Sequence, residues 1–397
     1  MTRTYAQAWA GYLAALEDCR VQMESDPAVQ SDPKVRDAAL YFPTQMQAAA
    51  FNMHMAPNPA YPFLYLHQIF TPFELSWGLP NPDYVYRYGY IDGRRRYRIS
   101  GPRKSASCFF NFILFNDYFA DNSKTLADLE LNDFAQGDGR IEMILGPDES
   151  GPGTVRLDPS EHYMVFTVRE ALEDWSREEV TPLRIECLDA DRGSMLYSEA
   201  ELVTRIERAT RLVHATTKRT LRNYHRLLER AGEENRFFID GLSPERIAQN
   251  AHPMQTMVNC IFNVPPGQSL IIETEVPAAR YWAISLGDPW WKVVDYTWHQ
   301  SSLNRKNAWF GADGIFRAVL SHEDPGIQNW VDPVDNDRGQ ILIRLNKAES
   351  EPLPRTRLVP SATVRDHLPA DTPRFSPEQR RQQIAIRTET VLRRYGY

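Results

Sequence analysis

Residues 198–232 read SEAELVTRIERATRLVHATTKRTLRNYHRLLERAG, the most regular stretch of the chain. Apolar side chains recur in it every three or four residues, which is the spacing of one face of an α-helix. Ser198 and Glu201 make a capping-box pattern, and Gly232 is typical of a residue that follows a helix. The pattern predicts a helix over residues 199–231. Because its apolar stripe needs to be buried, we expect it to pack as a bridge between two β-rich regions. The stripe consists of Leu202, Ile206, Ala209, Val213, Leu221, Tyr224 and Leu228.

Short aromatic and β-branched runs lie on both sides of this helix, and such runs predict antiparallel strands. The runs before the helix are residues 84–91, 97–100, 107–115, 140–145, 163–168 and 183–188. The runs after the helix are residues 258–264, 269–274, 280–286, 315–320 and 340–345. Asp92-Gly93 is a turn signal that predicts a β-hairpin between the first two runs. The predicted fold class is mainly β with accessory helices (α+β), with two antiparallel β-sandwich or jelly-roll-like units joined by a long helix. Whether the two units are duplicated folds stays open.

The pattern divides the chain into five segments. They are an N-terminal helical cap (1–75), a first β-rich domain (76–197), a helical connector (198–252), a second β-rich domain (253–346) and a C-terminal tail with a helix (347–397). In the tail, Ser376-Pro377 with Gln379 predicts the start of a last helix that reaches about residue 394.

Composition narrows the class of protein. The 397 residues are 42% hydrophobic and 24% charged, which is ordinary for a folded globular chain. A net charge of −7 gives no reason to expect a nucleic acid or an anionic membrane as a partner. The four cysteines form no CxxC pair, so a reducing, cytoplasmic location is expected. No apolar run approaches the roughly 20 residues that a membrane span needs.

Standard catalytic signatures are absent from the sequence. It contains no GxSxG elbow, P-loop, HExxH motif or GxGxxG turn, which argues against nucleotide-dependent redox or kinase chemistry. We therefore expect no organic cofactor. His299, His322 and Asp324 are suitable metal ligands by type, but no short ligand spacing supports a metal site, and none is predicted. The expected partner is a small-molecule substrate, and a homo-oligomer is possible.

The first polar cluster lies at the entry to the first predicted strand. Asn81 and Asp83 fall on one strand face because side chains alternate with period two, and Tyr84 and Tyr86 follow them. This arrangement is compatible with a pocket that holds a carboxylate and phenols. It is equally typical of an Asx-type turn followed by core tyrosines.

The second cluster spans residues 281–330 and holds six of the nine tryptophans. These are Trp282, Trp290, Trp291, Trp298, Trp309 and Trp330. The polar residues between them are Asp288, Asp295, Tyr296, His299, Asn304 and Arg305, on what is predicted to be one long loop. A long loop this rich in tryptophan is typical of a binding loop. The alternative is a loop that only covers the core.

A histidine and a carboxylate close the strand predicted at 315–320. Period two puts His322 and Asp324 on the same face, and a carboxylate beside an imidazole is the usual way to orient a general base. The alternative is a solvent-exposed strand end.

Several of these motifs together resemble a known family. They are RYWAISLGDPW at 280–290, SSLN at 301–304, ADG at 312–314, SHEDPG at 321–326, NWV at 329–331 and GQILIR at 339–344. This set resembles the bacterial family catalogued as domain of unknown function 1214, although Val331 stands where leucine is usual. Asn81-Pro-Asp83 with Tyr86 is similar to the Asn-x-Asp-x-x-Tyr signature of a partner region, domain of unknown function 1254. The resemblance implies two β-rich, jelly-roll-like halves with accessory helices and supplies pocket candidates rather than a reaction.

Together these patterns favour a cofactor-independent lyase or hydrolase that uses general acid and base groups on a largely apolar or ring-containing small molecule, such as a terpenoid, steroid, aromatic compound or glycoside. Asp83 or the His322–Asp324 pair would be the base, and Tyr86 or Tyr296 the acid. The predicted catalytic residues are Asp83, Tyr86, His299, His322 and Asp324. The predicted substrate-binding residues are Asn81, Trp282, Asp288, Trp290, Tyr296, Asn304, Arg305, Asn329 and Trp330, with Asn81 and Asn329 as oxygen-binding donors. The alternatives are a carbohydrate-binding β-sandwich and an assembly protein with an aromatic interface.

Overall fold

A computed structural model gives the architecture of the chain. It describes residues 3–66, 76–104, 107–117, 123–189, 191, 193–231, 233–239 and 255–396. The predicted C-cap Gly232 and the side chain of Leu228 lie outside the described part, as do residues 240–252 of the predicted connector.

Helices begin the chain, join its two halves and end it. They are α1 (Tyr5–Ser25), α2 (Pro27–Ser31), α3 (Pro33–Ala50), α4 (Glu199–Ala231) and α5 (Pro377–Tyr395), with a π-helical turn at Phe51–Met55 and 3₁₀ turns at Leu131–Phe134 and Ser361–His367. The predicted long helix is confirmed as α4, and Ser198 and Glu201 form the predicted capping box. No helix in the described part of the chain is both long and apolar enough to cross a bilayer.

The first β unit consists of two sheets. Its strands are β1 (Tyr65–Leu66), β2 (Tyr84–Ile91), β3 (Tyr97–Pro102), β4 (Phe110–Phe115), β5 (Thr125–Glu130), β6 (Arg140–Gly146), β7 (Thr154–Arg156), β8 (Met164–Ala171) and β9 (Arg184–Cys187). One sheet has the order β1-β2-β8-β4-β5 and the other has the order β7-β6-β3-β9. Apolar side chains from both sheets share one core, among them Phe112, Phe166 and Met143. The unit is therefore a β-sandwich.

The second β unit is built in the same way. Its strands are β10 (Phe237–Ile239), β11 (Gln255–Asn263), β12 (Gln268–Glu275), β13 (Ala279–Gly287), β14 (Ser302–Asn304), β15 (Ile315–Ser321), β16 (Trp330–Val331), β17 (Arg338–Ala348) and β18 (Arg355–Pro360). The sheet orders are β10-β11-β17-β13-β14 and β16-β15-β12-β18. The core between these sheets includes Phe262, Trp282 and Phe316. Strands β10 and β18 lie in the segments predicted as connector and tail.

The two units are duplicated folds. Adding nine to each strand number of the first unit reproduces both sheet orders of the second unit. The correspondence extends to the one parallel pairing among the described strands of each unit, β6 with β7 and β15 with β16. The predicted fold class, two antiparallel sandwich units joined by a long helix, is thus confirmed, and the question of duplication is answered.

The predicted hairpin at Asp92-Gly93 is wrong. Strand β2 pairs with β1 and β8, whereas β3 pairs with β6 and β9 in the opposite sheet. The turn is a corner at which the chain crosses from one sheet to the other. Gly93 is required there because a Cβ atom would lie 1.9 Å from the carbonyl oxygen of Asp158.

A helical layer covers the outer faces of the five-stranded sheets. Helix α4 buries Ile206, Ala209 and Val213 in a core that also contains residues of α1, α3 and β2. The predicted packing of α4 is therefore confirmed. At the other end of the chain, α5 contacts both units: Arg394 Nη2 donates to Leu172 O (2.7 Å), and Arg387 Nη1 donates to Ser302 Oγ (2.9 Å).

Candidate functional site

The junction between the two units is centred on the carboxylate of Asp83. Its Oδ1 accepts hydrogen bonds from Trp175 Nε1 (2.6 Å) and Asn304 Nδ2 (2.9 Å). Its Oδ2 accepts a third from the hydroxyl of Tyr281 (2.7 Å). Trp175 follows β8 in the first unit, whereas Tyr281 and Asn304 lie on β13 and β14 of the second. Asp83 therefore fastens the first unit to the second.

Asn81 and Tyr86 belong to the same network. Asn81 Nδ2 donates to the Tyr281 hydroxyl (2.7 Å), and the backbone N–H of Asn81 donates to the Tyr86 hydroxyl (2.9 Å). The Asp83 N–H donates to Asn81 Oδ1 (3.1 Å), which is the Asx turn that the sequence also allowed. The turn and the inter-unit contacts are thus made by the same side chains.

Burial dominates the electrostatics of this network. It raises the pKa of Asp83, while the hydrogen bonds from Tyr281 and Trp175 and the charge of Arg394 act in the opposite direction. Burial and the neighbouring Asp83 carboxyl also hold the pKa of Tyr281 well above its ordinary value. Because all three contacts to Asp83 are donors, they match an ionised carboxylate that only accepts. Asp83 is only 3% exposed, so its carboxylate is enclosed by these donors.

An open cleft of about 310 Å³ lies on the other side of Trp175. Its walls are Trp175, Asn307, Phe375, Gln379, Gln382, Gln383, Ile386 and Arg387. Five of these belong to α5, so this helix forms one whole side of the cleft. The indole of Trp175 separates the cleft from Asp83 and receives the Arg387 guanidinium at 4.4 Å from its ring centroid.

Arg387 is fixed and charged. Besides Ser302 Oγ, it donates to Ser302 O (2.8 Å) and Tyr296 O (3.3 Å). Burial lowers the pKa of its guanidinium to about 10, so it stays protonated at neutral pH. Arg387 therefore holds the face of Trp175 in place rather than exchanging protons.

The structure brings some predicted site residues together and separates others. Asn81, Asp83, Tyr86 and Asn304 meet at the junction, and Arg305 lies beside them in an ion pair with Glu173 (Nε to Oε1, 2.6 Å). His299 lies apart: its Nδ1 is 2.8 Å from Asp332 Oδ2, and no hydrogen bond or ion pair joins it to Asp83 within the described residues.

The expected pairing of His322 with Asp324 is wrong. His322 Nε2 lies 2.9 Å from Val264 O and 3.3 Å from Asp337 Oδ1. The exposed Asp324 instead pairs with Arg380 of α5 (Nε to Oδ2, 2.9 Å). The strand ends at residue 321, so the alternation that would have put both side chains on one face does not continue through them.

The predicted tryptophan walls do not form one pocket. Trp282 lies in the core of the second unit, and Trp290 donates to Val35 O (2.8 Å) beneath the helical layer. Trp330 packs in a separate small core, and Trp298 is 52% exposed. These four side chains therefore lie in four different environments.

The remaining predicted binding residues also have structural contacts. Asp288 Oδ1 accepts from the N–H groups of Trp290 and Lys292 (both 2.9 Å). Asn329 bridges the loop around Trp309, whose N–H donates to Asn329 Oδ1 (2.8 Å). Tyr296 is buried edge-on against Trp175. The predicted long loop is shorter than expected because β14 ends it at residue 302.

Sequence reasoning missed Trp175 and Arg387 of the cleft. It also missed two arginines in the middle strands of the five-stranded sheets, Arg169 on β8 and Arg344 on β17. Trp175 and Arg387 stand alone in their segments, so no local pattern singles them out. Arg169 and Arg344 did carry a signal, because each is a charged residue within a strand rich in apolar residues, in MVFTVREA and GQILIR. No group of three or more His, Cys, Asp or Glu side chains suited to a metal occurs among the described residues.

Comparison with known proteins supports the fold. No family model matches the chain, and no curated protein matches it. The crystal structure of an uncharacterised protein from Burkholderia cenocepacia is similar, with 23% identity, a TM-score of 0.78, and coverage of 90% of this chain and 98% of the other. A protein from Vibrio parahaemolyticus has 11% identity and a TM-score of 0.46, with coverage of 79% and 96%. The resemblance to domains of unknown function 1214 and 1254 stays a prediction, and the chain shares its two-unit fold with the Burkholderia protein.

Proposed function

We propose that the protein binds a neutral small molecule that contains a sugar ring, in the cleft between Trp175 and α5. The observation that carries the proposal is the composition of the cleft wall. The ring of Phe375 and the exposed side chain of Ile386 stand beside four side-chain amides, whereas Trp175 is buried and its ring carries the guanidinium groups of Arg387 and Arg394. An aromatic face stacks on a ring, and amides both donate to and accept from hydroxyl groups.

The size of the cleft supports the same ligand class. A volume of about 310 Å³ lies at the lower end of the range of about 300–1,000 Å³ for small-molecule sites. Among the described residues that form its walls, none carries a carboxyl, imidazole or phenol group. General acid and base catalysis needs such a group within hydrogen-bond reach of the substrate. The composition of the cleft therefore favours binding over catalysis. Carbohydrate binding is the alternative function that the sequence predicts.

Calorimetric titration with glucose, N-acetylglucosamine and cellobiose tests the proposal. We expect at least one of them to bind, and Ile386→Asp to weaken that binding at least tenfold. Ile386 is 44% exposed, so its replacement does not disturb the core. Ala385→Asp is the matched control, because Ala385 is exposed on the same helix but does not contribute to the cleft. Equal loss in both variants, or no binding with a Kd below about 10 mM, would contradict the proposal.

The cofactor-independent lyase or hydrolase is a second proposal, which the Asp83–Tyr281 pair supports. A phenol and a carboxyl 2.7 Å apart, both with raised pKa values, are the groups that such chemistry requires. Turnover of 4-nitrophenyl glycosides and esters should be unaffected by chelators, and Asp83→Asn should lower kcat by about 10²–10⁴. Normal turnover in Asp83→Asn would remove Asp83 from the chemistry.

The proposal also includes a cytoplasmic location and a small-molecule partner. All four cysteines are free thiols, and three of them, Cys19, Cys187 and Cys260, are buried, which suits a reducing compartment. The possible homo-oligomer stays a prediction, which size-exclusion chromatography with light scattering would test.

A further inference from the structure

Two arginines occupy corresponding positions in the duplicated units. Arg169 on β8 pairs with Asn111, which pairs in turn with Glu130, the last residue of the edge strand β5. Arg344 on β17 pairs with Ala283, which pairs with Asn304, the last residue of the edge strand β14. Both arginines therefore stand in the middle strand of a five-stranded sheet, at the same place in its register.

Arg344 is buried without a carboxylate. It is 6% exposed, its Nη1 donates to Ser285 Oγ (3.1 Å), and its Nη2 donates to Leu79 O. No acidic side chain among the described residues lies within ion-pair distance of it. A buried guanidinium without an anion is costly, because neutral oxygens replace only part of its hydration.

Arg169 has still fewer partners. Its guanidinium makes no hydrogen bond or ion pair within the described part of the chain, and its buried Nε is without an acceptor. The guanidinium faces the ring of Tyr86, whose centroid lies 6.0 Å from Cζ. Arg169 is partly exposed, so solvent reaches this position.

The two charges act on each other. Burial lowers the pKa of Arg344, the phenols of Tyr86, Tyr281 and Tyr84 act in the opposite direction, and the charge of Arg169 lowers it further. Burial raises the pKa of all three phenols, so they stay neutral and do not balance the arginines. No carboxylate among the described residues forms an ion pair with either arginine.

We propose that Arg169 and Arg344 together bind the carboxylate of a small organic acid at the junction of the two units. A carboxylate accepts the paired N–H groups of a guanidinium in a planar fork, and one anion between two such groups removes their repulsion. Thr167, which lies on the same face two residues before Arg169, has a buried hydroxyl without a partner in the described residues and offers a further donor.

A singly charged carboxylate fits better than a phosphate. Strand β5 places Asp128 and Glu130 on the same sheet face as Arg169, one strand beyond Asn111. The Asn111 amide donates to Asp128 Oδ1 (2.9 Å), and Glu130 pairs with Arg280 (3.2 Å). These carboxylates repel a dianion more strongly than a monoanion. The site is distinct from the sugar cleft beside α5 and does not depend on it.

Thermal unfolding and calorimetry with benzoate, inorganic phosphate and benzyl alcohol test this site. We expect 10 mM benzoate to raise the Tm of the wild type by several degrees, and neutral benzyl alcohol to leave it unchanged. In Arg169→Gln the affinity for benzoate should fall at least tenfold, and Arg169→Lys should retain part of it. Without ligand, Arg169→Gln should melt no lower than the wild type, because the variant removes an unpaired charge that repels Arg344.

Two controls isolate the site. Arg98→Gln removes a partly exposed strand arginine that does have an ion-pair partner, Glu186, and should keep the benzoate response. Ile386→Asp alters only the sugar cleft and should also keep it. The proposal is overturned if Arg169→Gln responds to benzoate like the wild type, if benzyl alcohol works as well as benzoate, or if phosphate stabilises more than benzoate. A markedly lower ligand-free Tm in Arg169→Gln would also overturn it, by showing that Arg169 already has a stabilising partner.

Discussion

Replacing Asp83 with alanine should loosen the junction of the two units. The substitution removes the acceptor of three buried donors, the indole of Trp175, the hydroxyl of Tyr281 and the amide of Asn304. Asn304 keeps a second acceptor, the carbonyl oxygen of Glu173 at 3.1 Å, so two donors are left without one.

The size of the effect follows from those two donors. Each buried donor without an acceptor costs about 1–3 kcal/mol, and the nearby Arg394 loses its counter-charge as well. We expect Asp83→Ala to lower the free energy of unfolding by about 3–6 kcal/mol, out of the roughly 5–15 kcal/mol typical of a folded protein. Asp83→Asn keeps an oxygen for Trp175 and Asn304 and should cost only about 1–2 kcal/mol, the value of the hydrogen bond from Tyr281.

Urea unfolding followed by tryptophan fluorescence measures these differences. Asp148→Ala is the control, because Asp148 is exposed and its loss should change the free energy of unfolding by no more than about 0.5 kcal/mol. A loss below 1 kcal/mol in Asp83→Ala would refute the reasoning, since Asp83 would then not fasten the units.

Three further changes test other parts of the structure. Burial lowers the pKa of His54 to about 3, so the free energy of unfolding decreases as the pH falls from about 6.5 toward 3. In that window, His54→Met should reduce the pH dependence of the free energy of unfolding by up to about 1.4 kcal/mol per pH unit. Burial raises the pKa of Asp288 to about 6, so the free energy of unfolding decreases as the pH rises from about 4 to above 6. Asp288→Asn keeps both backbone hydrogen bonds and should raise the free energy of unfolding at pH 7, measured in urea, by about 1–3 kcal/mol, an effect that the partial exposure of Asp288 reduces. Val213→Asp should lower the Tm by more than 5 °C, because α4 buries Val213 completely, whereas the exposed Arg211→Asp should not.

Local periodicity predicted most of the elements. The stripe of α4 repeats every 3.6 residues, and the apolar residues of β2, β8 and β17 follow the strand period, because these elements bury one or both faces. The spacing of apolar residues in the sequence therefore predicts them. The Asp92-Gly93 corner could not be predicted, because a hairpin and a crossing between sheets require the same turn residues. The strand partners that distinguish the two cases are not next to the turn: β1 precedes it, and β6, β8 and β9 lie between residues 140 and 187.

The candidate site was less predictable than the fold. Asp83 and Asn304 were each chosen for their chemistry, and their contact depends on how two separate units pack. His322 and Asp324 were paired by extending strand alternation past the end of β15, where it no longer applies. Trp175 forms the cleft wall because α5 returns across the first unit, and no short stretch of sequence encodes that contact.

The return of α5 to the first unit has a consequence for synthesis of the chain. The carbonyl groups of Leu172 and Trp175 receive their hydrogen bonds from Arg394 and Thr390, which are separated from them by 222 and 215 residues. At a synthesis rate of about 5–20 residues per second, roughly 10–45 s pass before those donors exist. During that interval the first sandwich can form its own sheets, but its edge at Trp175 stays open to chaperones and to other nascent chains. Ribosomes that stall late in the message should therefore hold a first unit that is folded in its core yet sensitive to proteases near Trp175.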